Sequence, residues 1–86
     1  MADIEVYTQP YCPYCARALA LLREKGANFK EISAPQGSPA RAEAIERSGG
    51  RTTVPQIFIG GRHIGGSDDL LTLERAGKLD ALLAGP

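Results

Sequence analysis

The chain's two cysteines, Cys12 and Cys15, are separated only by Pro13-Tyr14 and stand where the hydrophobic period of the sequence changes. Before them, Ile4-Glu5-Val6-Tyr7-Thr8 alternates apolar and polar β-formers, the two-residue period of a strand. After them, Cys15, Ala18, Leu19 and Leu22 fall at i, i+3, i+4 and i+7, the stripe of an amphipathic helix. Pro13 suits the first helical position, where its missing N–H costs nothing, and Gly26 suits the C-terminal stop. The pattern predicts a helix over about 13–25 with Cys12 as its N-cap.

The remaining elements follow from the same signals. Asn28–Ser33, with Phe29 and Ile32, reads as a second strand, and Pro35-Gln36-Gly37 breaks it. Ser38-Pro39 is an N-cap followed by a first-turn proline; the helix it opens turns Ala42 and Ile45 inward and stops at Gly49-Gly50. Val54–Ile59 and His63-Ile64 read as two strands joined by a hairpin at Gly60-Gly61. Ser67 is placed to cap a helix carrying Leu70, Leu71 and Leu73, ended by Gly77, and Leu79, Leu82 and Leu83 suggest one more short helical turn. The order is β-α-β-α-β-β-α. A crossover helix implies a parallel first pair and a tight turn an antiparallel last pair, so the expected architecture is an α/β fold with a mixed four-stranded sheet flanked by helices.

Composition narrows the function. Eighty-six residues make one small domain, expected to span 1–86, and 43% apolar with 23% charged residues is an ordinary globular balance. Ten basic residues against ten acidic ones leave no global field for nucleic acid or an anionic membrane. No stretch has the apolar length of a membrane span, and Met1-Ala2-Asp3-Ile4-Glu5 lacks the pattern of a secretory signal.

A Cys-x-x-Cys pair has three readings. A structural zinc site needs two more ligands, and the chain offers one histidine, His63, so no metal site is expected. Two unrelated core cysteines would both need burial. The third reading, a redox pair, requires a βα context, which is where the pair falls. Residues i and i+3 of a first helical turn lie about 5–6 Å apart, within the reach of a disulfide. Cys12 sits where free backbone N–H groups and the positive end of the helix favour a thiolate, which makes it the nucleophile; Cys15, one turn in, is the resolving thiol.

Tyr11-Cys12-Pro13-Tyr14-Cys15, Thr53-Val54-Pro55 and Gly65-Gly66-Ser67-Asp68, in this order, together resemble the dithiol glutaredoxins of the thioredoxin-fold superfamily. The resemblance covers nearly the whole chain. It implies a thioredoxin-like fold, a redox disulfide Cys12–Cys15, and glutathione as co-substrate with no permanently bound cofactor. It also implies that the Val54–Pro55 bond is cis, with Val54 N–H and C=O turned outward to pair with an extended peptide such as glutathione. Gly66, Ser67 and Asp68, beyond making a turn and a helix start, then receive the γ-glutamyl end: N–H groups of Ser67 and Asp68 hold the carboxylate and the Asp68 side chain faces the ammonium. Thr53 and Tyr14 join this groove, Tyr14 as its wall.

One position departs from the family pattern. Many relatives carry a lysine three positions before the first cysteine, where this chain has Gln9, a neutral donor for the glycyl carboxylate. Arg51 is the candidate to supply the missing charge. Asp69 reads as plain helix-capping charge, Tyr7 as core, and His63 as a solvated or packed histidine without a catalytic role. The expected partners are glutathione and disulfide-bonded or glutathionylated proteins, with no nucleic acid and no membrane, acting as a monomer in the cytoplasm. Two other functions fit the same residues: a glutathione-ligated [2Fe–2S] cluster-binding module, which Pro13 disfavours by stiffening the loop, and a redoxin reduced by thioredoxin reductase.

Overall fold

The alternation of β1 (Ile4–Thr8) sends Ile4 and Val6 to one face of a sheet and Tyr7 to the other, and the chain builds a separate apolar layer on each. The computed structural model describes residues 2–85. After β1 come α1 (Pro13–Glu24), β2 (Lys30–Ser33), α2 (Pro39–Arg47), β3 (Gln56–Ile59), β4 (Arg62–Gly65), α3 (Ser67–Arg75) and α4 (Leu79–Ala84). The sheet order is β2-β1-β3-β4, with β1 and β2 parallel and the other two pairs antiparallel, as the crossover and the hairpin require. Gly60 and Gly61 both take positive φ, 60° and 79°, which matches the twist of a tight hairpin.

Ile4, Val6, Ile57 and Ile59 face the larger core, which Ala18, Leu19 and Leu22 of α1, Leu70 of α3, and Leu79 and Leu83 of α4 complete. The opposite face holds Tyr7 and Phe58 against Ala44 of α2. Their rings meet edge to face, with centroids 5.7 Å apart. Arg47 closes this smaller layer: its guanidinium lies 4.0 Å from the Phe58 centroid, donates to the Tyr7 hydroxyl at 2.7 Å and pairs with Glu5 at 3.0 Å.

Several local expectations are displaced. β2 starts at Lys30 rather than Asn28, and β3 starts at Gln56 because Pro55 has no N–H to give the ladder. In α2 the buried side chains are Arg41 and Ala44; Ala42 is exposed and Ile45 half-buried. The helix is rotated from the expected stripe because the Arg41 guanidinium finds backbone carbonyls on the sheet side, described below. α3 is capped from a different place. Ser67 is its first helical residue, and Gly66 is the N-cap. The capping oxygen comes from three residues ahead, where the Asp69 carboxylate accepts the Gly66 N–H at 2.8 Å.

Gly65 makes that cap possible. Its φ is +122°, and a Cβ there would lie 2.2 Å from Asp69 Oδ2. Gly65→Ala is expected to expel the carboxylate from its cap and strain the backbone, lowering stability by about 1–3 kcal/mol in urea denaturation. Gly66→Ala, at φ −92° with its nearest contacts at 3.5 Å, is expected to cost less.

Candidate active site

Cys12 caps α1 as its position predicts, with extended φ and ψ of −109° and 103°. Its Sγ accepts the Cys15 N–H at 3.2 Å and approaches the Val54 carbonyl oxygen at 3.8 Å. The nucleophile candidate is therefore held between the first turn of α1 and the loop before β3, 42 residues away in sequence. Both cysteines are free thiols, Cys12 half-buried and Cys15 buried. Burial, reinforced by the hydrogen bond to Cys12, pushes the Cys15 thiol up to about 12, so it keeps its proton at neutral pH. Tyr11, just before the pair, takes φ +59° and is 102% exposed.

Two adjoining depressions share Tyr14, Thr53 and Val54 and form one groove past the thiol. One end, a cleft of ≈ 250 Å³, is closed by Pro55, Gly66, Ser67 and Asp68. The other end holds Cys12, Gln9 and Arg41. All nine non-cysteine residues singled out from sequence line this groove. Tyr14 is 56% exposed and forms a wall, with Arg17 lying 5.7 Å from its ring centroid. The Val54–Pro55 bond is cis. Among the described residues, the N–H groups of Val54, Ser67 and Asp68 have no hydrogen-bond partner, which leaves three backbone donors free along one groove.

The cations are distributed differently from the expectation. Arg51 does not lie beside Gln9; it lines the far cleft, where Nη1 donates to Asp69 Oδ2 at 3.2 Å. The Gly66 N–H, with Arg51 adding to it, holds the Asp69 carboxyl below the usual carboxylate range. The cation at the Gln9 end is Arg41, which sequence reasoning missed. It is 6% exposed. Its Nη1 donates to Ala34 O at 2.8 Å and to Gln9 Oε1 at 2.9 Å, and its Nε and Nη2 donate to Thr52 O at 3.2 and 2.8 Å. Every one of these partners is neutral, so the guanidinium charge meets no carboxylate among the described residues. The bond to Oε1 also leaves the Gln9 amide nitrogen as its free donor.

The two thiols should be chemically distinct in the folded protein. Iodoacetamide at pH 8 is expected to add one carbamidomethyl group, at Cys12, and to reach Cys15 only after denaturation. Peptide mass spectrometry reads the sites; comparable labelling of both in the native state would contradict the asymmetry.

The Glutaredoxin family model matches residues 4–64. A glutaredoxin of Pseudomonas aeruginosa is 54% identical over 84 residues, covering 98% of this chain and 99% of that protein. Glutaredoxin 3 of Escherichia coli is 55% identical over 83 residues, covering 96% and 99%. Among solved structures, a buckwheat glutaredoxin–glutathione complex superposes with a TM-score of 0.86 at 36% identity, covering 96% of this chain and 77% of that one. The solution structure of a Brucella melitensis glutaredoxin gives 0.82 at 62% identity, covering 96% and 89%. With a family model over residues 4–64 and relatives more than 50% identical over nearly its whole length, this chain belongs to the glutaredoxin family.

Proposed function

We propose that this glutathione-dependent oxidoreductase reduces protein–glutathione mixed disulfides and protein disulfides through Cys12 and Cys15, with glutathione bound along the groove. The observation that carries the reading is the position of Cys12 Sγ, 3.8 Å from the carbonyl oxygen of Val54, the residue whose N–H has no partner among the described residues. The cysteinyl unit of glutathione pairs with both Val54 groups as an added strand would, which brings its sulfur to Cys12. Its γ-glutamyl carboxylate takes the free Ser67 and Asp68 N–H groups at the start of α3, with Asp68 facing the ammonium. Its glycyl carboxylate takes the Gln9 amide and the charge of Arg41. Arg51 acts at the γ-glutamyl end. The bound glutathione of the buckwheat relative, a protein of the same fold, supports this assignment.

The chemistry follows from the thiol asymmetry. The Cys12 thiolate attacks the glutathione sulfur of a glutathionylated protein; that S–S bond breaks, the protein thiolate leaves and is protonated by water, and a Cys12–glutathione disulfide forms. A second glutathione thiolate attacks the glutathione sulfur of this bond, releasing oxidised glutathione and restoring Cys12. With a protein disulfide, Cys12 first forms a mixed disulfide with the substrate. Cys15 then gives up its proton and attacks Cys12 Sγ, releasing the substrate dithiol and leaving a Cys12–Cys15 disulfide for two glutathiones to reduce. Keeping Cys15 protonated favours the first route, because a withheld thiolate does not compete with glutathione for Cys12. A glutathione supply and reduced thiols suit the cytoplasm, and the single domain 1–86 acts as a monomer. No helix among the described residues is long and apolar enough to cross a membrane.

Cys15→Ser is expected to retain deglutathionylation of a glutathionylated peptide and to lose most dithiol-dependent reduction of a protein disulfide. Cys12→Ser is expected to lose both. A fully reduced wild-type protein that does not deglutathionylate the peptide would overturn the proposal.

A further inference from the structure

His63 lies in β4, half-buried, with its ring centroid 5.1 Å from that of Phe58. Its Nε2 is 2.7 Å from Gln56 Oε1. Gln56 is 0% exposed, and its Nε2 lies 3.0 Å from Thr53 O and 3.3 Å from Thr53 Oγ1. The donor directions in this chain are determined by chemistry. A backbone carbonyl only accepts, so the Gln56 amide must turn its nitrogen to Thr53 and its oxygen to His63. His63 must then carry a hydrogen on Nε2. That hydrogen is present in the neutral tautomer so defined and in the imidazolium, since protonation adds a hydrogen at Nδ1.

The chain ends on the groove. The Thr53–Val54 peptide is trans and planar, so its C=O and N–H point in opposite directions. Holding Thr53 O inward on Gln56 therefore turns the Val54 N–H outward, and that N–H has no partner among the described residues. Few other contacts hold this peptide. Arg41 grips the preceding carbonyl, Thr52 O, and Cys12 Sγ touches the following one, Val54 O. The Gln56 amide is the side chain that bonds the Thr53 carbonyl itself.

We propose that His63 is a positioning residue for glutathione, orienting the Gln56 amide so that the Thr53–Val54 peptide presents its N–H to the groove. The inference rests on the glutathione reading above. A buried amide needs partners wherever it sits. Here, however, the partners run from the smaller core layer, through Phe58 and His63, to the one peptide expected to pair with the ligand. Without the His63 donor, Gln56 Oε1 is left unsatisfied and the amide is free to turn away from Thr53.

The test is steady-state deglutathionylation of a glutathionylated peptide by wild type, His63→Phe and His63→Gln. Phenylalanine keeps a ring against Phe58 and removes the donor; glutamine restores an N–H at similar reach. The expected result is a KM raised about three- to tenfold in His63→Phe, the loss of about one hydrogen bond, with kcat within about twofold of wild type. His63→Gln should recover most of the KM. Gln56→Met, which keeps the volume and removes both bonds, should reproduce the KM effect, and combining it with His63→Phe should add nothing further. Cys12 alkylation by iodoacetamide, which does not use the groove, should proceed at the wild-type rate in all variants. An unchanged KM in an active His63→Phe overturns the relay and leaves the glutathione reading standing. Equal losses in kcat and kcat/KM with a lowered Tm and no rescue by glutamine assign His63 to stability alone and also overturn it. A wild type without deglutathionylating activity overturns the underlying reading, and the relay with it.

Discussion

The site depends on the antiparallel pairing of β1 with β3. Tyr7 stands opposite Gln56, so the chain leaves β1 toward Cys12 at the same end of the sheet at which it enters β3 from Val54. That register brings a helix N-terminus and an unpaired peptide together across 42 residues. The parallel β1–β2 pair, by contrast, carries the chain away through α1 and returns it on the other side. The mixed sheet thus leaves the β1–β3 end uncovered, with the start of α3 as its third side.

The three sides contribute different physical groups. α1 supplies a sulfur that already accepts a backbone N–H, the loop before β3 supplies a peptide with a free donor, and α3 supplies two more free N–H groups. Charge is placed at the margins. Arg41 is buried with carbonyls and an amide as its partners, so its charge is held in place without being cancelled. Arg51 is partly neutralised by Asp69, whose first task is capping Gly66. The groove thus has an uncancelled cation at one end and backbone donors at the other, with Cys12 between them.

The smaller core layer does more than fill one face of the sheet. Arg47 stacks on Phe58 and bonds Tyr7, and Phe58 in turn supports His63. From His63 the contact becomes polar and directional, through Gln56 to Thr53. A packed aromatic surface cannot aim a peptide N–H, but a planar amide fixed at both ends can.

By itself, the sequence determined the elements and their order, because strand and helix periods, the Cys12-Pro13 and Ser38-Pro39 helix starts and the Gly60-Gly61 turn act over a few residues. It also singled out both thiols and nine of the residues that line the groove, most of them in short contiguous motifs. The tertiary structure decided what depends on distant backbone. Ser67 reads as a cap, yet Asp69 takes that role because Gly65 leaves room for its carboxylate. No local sequence signal marks Arg41, yet it is buried because Ala34 and Thr52 offer carbonyls from two separate loops. Arg51 was expected at the Gln9 end and lies at the other, where Asp69 draws it. Long polar side chains end several ångströms from their own backbone, so their partners are chosen by the packing of other segments, which local sequence does not encode.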